Sequence, residues 1–260
     1  MIVGPLRRLG AERVERMDAG EGSPEEIAEA YRLLDTVNRK LGGHRLTERA
    51  LLPLVATVTG PLESVSAETD RLEILDVAGG DGAFAVRLRE QALRAGRDAR
   101  VTVVDLNSEA LSAMPPGVAA VRGDAFALPL ADRAVDLAHS SCFFHHLSTA
   151  GARDVLAEMC RVSRRAVIVN DLVRSRVAAV SIWALTRALV SNRLVRADGP
   201  LSVRKSFLPD ELLGIAQAVG LSAQPSYRWS IRRGFPYRMA LVGVRLRETG
   251  EDAAGRAEQR

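Results

Sequence analysis

The sequence has few cysteines and few aromatic residues. Its 260 residues include only two cysteines, Cys142 and Cys160, and 4% are aromatic. Two cysteines in a chain of this length do not make a disulfide framework, and they indicate a reducing compartment. We therefore expect a cytoplasmic protein. Hydrophobic residues make up 47% of the chain, so it can still bury a full core.

Long apolar runs and segregated charge are also missing. The longest apolar stretch, 177–190, contains Ser181, Thr186 and Arg187 and is shorter than the roughly 20 residues that a membrane span needs. The first apolar stretch of the chain is too short for a secretory signal. The formal net charge is only +4, and the basic residues are scattered among acids. We expect neither stable membrane insertion nor a nucleic-acid partner.

The composition changes along the chain. Residues 1–23 and 248–260 are rich in Gly, Arg and Glu without apolar periodicity, so we expect both to be flexible. Met17 is an alternative to Met1 as the natural start. Residues 24–62 predict an N-terminal helical cap, because an N-cap pattern precedes apolar residues at helical spacing.

Residues 63–247 alternate short apolar runs with helical patterns, which is typical of βαβ units. The pattern predicts an α/β fold with a Rossmann-like, mostly parallel seven-stranded sheet, a C-terminal antiparallel hairpin and an inserted helical cover at 175–206. The predicted strands are 72–77, 100–105, 118–122, 134–139, 166–171, 222–230 and 238–246. The predicted helices are 83–95, 108–113, 150–162 and 175–194, followed by a polar loop and a helix that Gly220 closes.

The first predicted strand runs into a turn that contains three glycines, Gly79, Gly80 and Gly82. A strand, a glycine turn and a helix are typical of an anion or nucleotide site, because the backbone can approach the ligand closely. Gly80, Gly82 and Ala85 fit the dinucleotide pattern G-x-G-x-x-A, and Asp105 lies where a ribose-binding acid belongs. An NAD(P)-dependent oxidoreductase is therefore one interpretation.

Three features favour a different ligand. Asp76 ends the first strand beside the turn, where it would repel a pyrophosphate but not a cationic sulfonium with an amino-acid tail. Asp124 and Ala125 follow the third strand, and this acid is suited to hydrogen-bond an adenine amino group. The closing hairpin differs from the ending of most dinucleotide domains.

With these motifs, the sequence resembles the class I S-adenosylmethionine-dependent methyltransferases, particularly those that methylate oxygen or carbon of small molecules. The resemblance covers about residues 65–247 and is carried by ILDVAGGDGAFA, VTVVDLNSEAL, GDAFALPLADRAVDLAHSSCFFHHL and the hairpin. It implies S-adenosyl-L-methionine as cofactor and S-adenosyl-L-homocysteine as product. The family usually has glycine at Ala78, and alanine is tolerable there if φ is negative.

The resemblance also implies roles for individual residues in holding the cofactor. Asp76 and the backbone at the turn would hold the methionine part, Asp105 the ribose hydroxyls, and Leu106 the adenine face. The remaining candidate cofactor contacts are Ala78, Gly79, Gly80, Gly82, Asp124, Ala125 and Ser140.

The acceptor side of the predicted site depends on polar residues after the fourth and fifth strands. Methyl transfer is a direct displacement, and a phenolic acceptor must lose its proton, for which histidine is the usual base. His145 and His146 follow the fourth strand and Asp171 ends the fifth, so these three are the candidate catalytic residues. Trp183 and Arg187, on the helical cover, are candidate substrate contacts.

Arg204 is a further candidate substrate contact, in the polar loop that follows the cover helix. The HHL stretch and the inserted helix resemble methyltransferases of ubiquinone and menaquinone biosynthesis and of polyketide tailoring. The expected acceptor is a small, largely apolar, phenolic or polyketide-type secondary metabolite, methylated at oxygen, with carbon as a variant. A protein that binds the cofactor without methylating is a third alternative.

A metal site and a dimer are the remaining questions. His139, Cys142 and His145 recur at three-residue spacing, but strand and loop side chains need not converge, so we expect no metal. A homodimer is possible.

Overall fold

The computed structural model describes residues 6–57, 71–222 and 227–246. Seven strands form one sheet: β1 Leu72–Val77, β2 Ala99–Asp105, β3 Ala119–Arg122, β4 Val135–Ser141, β5 Ser163–Leu172, β6 Tyr227–Gly234 and β7 Arg238–Arg245. Their order is β3-β2-β1-β4-β5-β7-β6. The first five strands are parallel, and β7 runs antiparallel to both β5 and β6. The predicted fold is confirmed.

Helices cover both faces and the carboxyl edge of the sheet. They are α1 Pro24–Lys40, α2 Gly43–Thr57, α3 Ala83–Arg94, α4 Ser108–Ser112, a 3-10 helix Phe144–His146, α5 Thr149–Val162, α6 Arg176–Leu189, α7 Arg193–Lys205 and α8 Pro209–Ser222. Within the described residues, none has both the length and the apolar character to cross a bilayer.

Two helix predictions are wrong in detail. The polar loop predicted after the cover helix is α7, because the Asn192 side chain accepts hydrogen bonds from the N–H groups of Leu194 and Val195 and starts a helix there. That helix continues through the Gly-Pro pair that made the segment look like a loop. The helix α8 runs two residues beyond Gly220.

The core lies on both faces of the sheet, which explains why the central strands are almost wholly apolar. Leu75 and its neighbours pack against α5 and α8 on one face. Ile74, one position earlier, faces α2 and α3 on the other. The carboxyl ends of the parallel strands therefore meet at one edge, where open α/β sheets bind ligands.

Residues 6–23, which the composition predicts to be flexible, lie against the domain instead. Arg8 donates a hydrogen bond to the carbonyl oxygen of Leu147 at 2.6 Å. The backbone N–H of Arg16 donates to the Asp198 carboxylate at 2.9 Å. Side-chain and backbone bonds thus fix this N-terminal segment over the carboxyl edge of the sheet. The predictions for 1–5, 58–62 and 248–260 concern residues outside those described.

Candidate functional site

The turn after β1 has the backbone conformation of a ligand cradle. Gly80 and Gly82 have φ of 58° and 72°, the left-handed region that glycine adopts without strain. A Cβ atom on Gly82 would lie 2.2 Å from the sulfur of Met114, and one on Gly79 would lie 2.9 Å from a carboxylate oxygen of Asp76. Neither position has space for a side chain. The turn therefore presents backbone to whatever lies above it.

Ala78 departs from the expectation of a negative φ. Its φ is 54°, so the alanine side chain sits in the left-handed conformation that the family's glycine would adopt freely. Its N–H donates to the carbonyl oxygen of Val104 at 2.8 Å, which ties the turn to β2. This hydrogen bond holds the alanine in a strained conformation.

Asp105, at the end of β2, is oriented by the backbone around it. One carboxylate oxygen accepts from the N–H of Gly80 at 2.9 Å and the other from the N–H of Asn107 at 2.8 Å. Each oxygen retains a lone pair for a further donor, such as a ribose hydroxyl. The next side chain, Leu106, is exposed beside it and can cover an adenine face. These residues fit the nucleoside half of S-adenosylmethionine.

Asp124 lies at the same edge, after β3. Its carboxylate accepts from the N–H of Phe126 at 2.9 Å, and its side chain is exposed. Ala125 is buried behind it. This position is compatible with the predicted contact to the adenine edge, which stays a prediction.

Asp76 occupies a different environment from the one the sequence suggests. It is buried, and one of its oxygens lies 2.7 Å from Nδ1 of the buried His139. The other oxygen is directed at Gly79. Asp76 thus supports the turn from within the core, and its contact with the methionine part stays a prediction. Sequence reasoning missed its partner.

Ser140 is buried near the end of β4 rather than exposed at the open edge. Among the described residues, its hydroxyl has no hydrogen-bond partner. Its role as a cofactor contact stays a prediction.

Tyr31 is a site residue that sequence reasoning missed. It lies on α1, and its ring is 3.6 Å from where a Cβ of Gly80 would be. Burial, together with nearby carboxylates that include Asp105 and Asp18, raises its pKa to about 12, while a hydrogen bond with Asn107 acts the other way. The helix α1 therefore brings a neutral phenol across the glycine turn. In the sequence, the helical spacing of the apolar residues of α1 indicated only a packing face.

His145 and Asp171 form a buried pair at the ends of β4 and β5. Nδ1 of His145 is 2.7 Å from one carboxylate oxygen of Asp171, and the backbone N–H of His145 donates to the other at 2.8 Å. Burial raises the pKa of Asp171, but the charge and hydrogen bonds of His145 outweigh it and the pKa lies below its usual value. The imidazole is therefore held in one orientation, with Nε2 turned away from Asp171.

The N-terminal segment closes this centre. An oxygen of Glu15 lies 3.7 Å from Nε2 of His145, 3.9 Å from Nδ1 of His146 and 3.2 Å from Nζ of Lys205. His146 also pairs with Asp18 at 2.7 Å. Burial opposes protonation of His146, but the bond to Asp18 and the charge of Glu15 raise its pKa. We call Glu15, Asp18, His145, His146, Asp171 and Lys205 the histidine centre.

The histidine centre contains a possible metal-ligand set, formed by Glu15, His145 and His146. Lys205 already places a buried ammonium beside Glu15, and Asp18 occupies Nδ1 of His146. A divalent cation would therefore have to displace both, so this donor set does not fit a metal.

The three residues at regular spacing in and after β4 do not converge. His139 pairs with Asp76, while His145 pairs with Asp171. The sulfur of Cys142 accepts from Arg238 at 2.9 Å. No shared ligand site arises from this spacing.

The structure does not bring the predicted substrate contacts to the histidine centre. Trp183 and Arg187 lie on the exposed face of α6, where the guanidinium is 4.7 Å from the indole centroid. Arg204 is exposed because α7 turns it outward, whereas the next residue, Lys205, is buried. Lys205, one residue after the predicted Arg204, is therefore the side chain that enters the histidine centre.

A seven-stranded sheet in this order, with a glycine turn after its first parallel strand and an acid after the second, defines the class I methyltransferase fold. Residues 74–166 match the family model described as "Methyltransferase domain". The protein is an S-adenosylmethionine-dependent methyltransferase, as the resemblance predicted. S-adenosylmethionine is its cofactor.

Solved structures share the fold at low sequence identity. The plantazolicin methyltransferase BamL, in complex with a triazolic desmethylPZN analog and S-adenosylhomocysteine, is 10% identical with a TM-score of 0.63, over 85% of this chain and 91% of that one. A methyltransferase from Aquifex aeolicus is 17% identical with a TM-score of 0.50, over 75% and 98%.

Magnesium protoporphyrin IX methyltransferase from Synechocystis PCC 6803, with bound S-adenosylhomocysteine, is 16% identical with a TM-score of 0.50, over 78% of this chain and 84% of that one. Comparison with curated proteins gives no match.

Proposed function

We propose that this cytoplasmic enzyme methylates the oxygen of a small, largely apolar acceptor, a phenolic or polyketide-type secondary metabolite. The observation that carries the proposal is that the Asp171 carboxylate binds both Nδ1 and the backbone N–H of His145. The two structural relatives named for their substrates, which are plantazolicin and magnesium protoporphyrin IX methyltransferases, support a small-molecule acceptor.

The chemistry of a phenolic acceptor matches this arrangement. S-adenosylmethionine supplies an electrophilic methyl group, and a phenol with a pKa near 10 must lose its proton to attack it. His145 accepts that proton at Nε2, while Asp171 holds the ring and stabilises the imidazolium that forms. Alignment of the acceptor in a closed site contributes about 7–11 kcal/mol.

Lys205 adds a positive charge to the same centre. Its ammonium is almost fully buried and lies 3.2 Å from Glu15. A fixed cation in a site shielded from water stabilises negative charge on an acceptor oxygen more than it would in water. This charge becomes available to a phenolate when Glu15 releases Lys205, and the histidine centre can then both take a proton and hold the phenolate.

The test is a transfer assay with a tritiated methyl donor and a panel of phenols, each paired with the same compound blocked at its hydroxyl. We expect label only in free phenols, and His145→Gln should lower kcat by about 10²- to 10⁴-fold. Cofactor affinity, measured by calorimetry, should not change. Asp171→Asn should lower kcat in the same direction, because the ring loses its fixed orientation.

The control is Asp154→Asn, which removes an exposed acid on α5 and should keep wild-type turnover. Wild-type kcat in His145→Gln would contradict the assignment of the base. Methyl groups on ring carbon, seen by NMR of the product, would contradict transfer to oxygen. Cofactor binding without turnover on any acceptor would support the non-methylating alternative.

A further inference from the structure

The outward face of α6 is apolar and has no partner among the described residues. The helix packs on α7, where the buried Thr186 faces Gly199. On its other side, Val177 is 60% exposed, Val180 65% and Trp183 50%. A single 14-residue helix thus holds several of the large apolar side chains that the described part of the chain leaves in water. An apolar patch on this scale marks an interaction surface.

The charge along this stretch of the chain has one sign. No Asp or Glu occurs between Asp171 and Asp198, whereas Arg176 and Arg187 are exposed on α6 itself. Within the described residues neither guanidinium has an ion-pair partner, and that of Arg187 lies over the Trp183 ring. The patch therefore combines apolar side chains with uncompensated positive charge.

We propose that α6 is a docking surface for an anionic lipid bilayer. The helix lies in the plane of the interface, with Val177 and Val180 among the first acyl carbons and the two arginines among lipid phosphates. Trp183 occupies the head-group level, where an amphipathic indole is favoured. At roughly 1.5 Å per residue, α6 is about 21 Å long, which suits a helix on the membrane rather than across it.

Charge complementarity selects this occupant over a second copy of the chain. Two α6 faces packed together would bring arginines together with no acid between residues 172 and 197 to compensate them. Anionic head groups neutralise the same arginines while the acyl region takes up the apolar side chains. A bilayer thus buries the apolar side chains and neutralises the arginines, whereas a symmetric dimer would only bury the apolar side chains.

The position of α6 indicates how docking on a membrane would serve the enzyme. The helix lies on α7, and α7 carries Lys205 into the histidine centre. Docking therefore brings the acceptor side of the molecule to the membrane surface. An apolar acceptor dissolved in the bilayer would then reach the site without crossing water. This use rests on the proposed function, whereas the docking itself does not.

The experiment is sedimentation of the full chain with vesicles of phosphatidylcholine alone or with 30% phosphatidylglycerol, at low and high salt. We expect the protein in the pellet with the anionic vesicles at low salt, and much less with neutral vesicles or at high salt. The fluorescence of Trp183 should shift to the blue on binding. Trp183→Phe should remove that shift, because the other tryptophan, Trp229, stacks on Tyr227.

Variants locate the contact. Val177→Glu combined with Val180→Glu should lower vesicle partitioning more than about tenfold, and Arg187→Gln should lower it about fivefold. Leu93→Glu is the matched control, since it places the same acid at an exposed leucine of α3. This control should partition like the wild type. Unchanged circular dichroism would show that the variants fold.

Wild-type protein that stays in the supernatant with anionic vesicles at low salt would overturn the proposal. A dimer in light scattering that Val177→Glu with Val180→Glu converts to a monomer would also overturn it, by assigning α6 to a second copy. Vesicle binding can be measured without any acceptor or turnover. Its failure would therefore leave the proposed methyl transfer untouched, and failure of methyl transfer would leave docking untouched.

Discussion

At the scale of single residues, Ala78 is held where its side chain is disfavoured. Its φ of 54° suits glycine, and its N–H is fixed by the carbonyl of Val104. We expect Ala78→Gly to raise the free energy of unfolding by about 1 kcal/mol, because the left-handed strain is relieved. Urea denaturation measures the change.

The control is the same substitution where the backbone is helical. Ala184→Gly in α6 should lower the free energy of unfolding by about 1 kcal/mol, because glycine is a poor helix former. If both glycine variants were destabilised alike, the strain assigned to Ala78 would be wrong.

The pair of His146 and Asp18 gives stability a predictable pH dependence. The pKa of His146 is raised from 6.5, so its contribution is complete below about pH 6.5 and is lost as pH rises through the folded pKa. Burial raises the pKa of Asp18 but the bond to His146 lowers it overall, so that contribution is lost only well into acid. We expect His146→Gln to remove the stability loss that sets in as pH rises above 6.5, measured by urea denaturation at each pH.

His44 gives the stability of the same protein the opposite pH dependence. Burial, followed by the charge of Arg87, lowers its pKa to about 4, so it destabilises the fold as pH falls from 6.5. When the free energy of unfolding is measured against pH, His44→Gln should therefore reduce its fall on the acid side. The alkaline side should stay unchanged. A His146→Gln profile that still declined above pH 6.5 would rule out the pair as its source.

At the scale of elements, the sequence predicted the sheet well and the cover poorly. Buried parallel strands are continuous apolar runs, so β1 was predicted to the residue and β4 within two. The helix α7 was missed because Gly199 and Pro200 lie in it. The oxygen of Asn192 starts that helix by a local cap, which a sequence can signal, whereas the bonds of its amide nitrogen to α1 cannot be seen in local sequence.

Asn192 accordingly does more than cap one helix. Its oxygen accepts from two N–H groups of α7, and its amide nitrogen donates to the carbonyl of Glu26 and to Glu29, both at 2.9 Å. We expect Asn192→Ala to lower the free energy of unfolding by about 2 kcal/mol, since it removes a cap and a bridge between helices. Thermal and urea unfolding measure the loss.

Ser148 is the comparison, since its side chain caps α5 through one bond to Gly151 and, in the described part of the chain, bridges to no other helix. Ser148→Ala should cost about 1 kcal/mol. Equal losses for the two alanine variants would argue that the bridge to α1 contributes nothing.

At the scale of the whole molecule, the two halves of the site differ in how far they can be predicted. The cofactor half follows from short motifs, because Gly80 and Asp105 come from adjacent strands with a familiar spacing. The histidine centre does not, because Glu15 meets Lys205 across 190 residues of sequence. Composition indicated a flexible N-terminus there. Only the packed fold shows that the segment closes the site.

The pair of Glu15 and Lys205 therefore tests whether the N-terminal segment is part of the folded molecule. Glu15→Leu leaves a buried ammonium without its partner, so we expect the free energy of unfolding to fall by about 3–5 kcal/mol, or the segment to lift away. Trypsin distinguishes these results, since a lifted segment is cut after Arg13 and Arg16. Adding Lys205→Met should restore stability and protection, because no buried charge then remains.

Glu12→Leu is the matched control, since Glu12 is exposed on the same segment and should change stability by no more than about 0.5 kcal/mol. If Glu15→Leu behaved like this control in both unfolding and proteolysis, the carboxylate would not fasten the segment. The contrast between the two glutamates is informative because they lie three residues apart. A general effect of adding an apolar residue to the segment would appear in both, whereas loss of the buried ion pair appears only in Glu15→Leu.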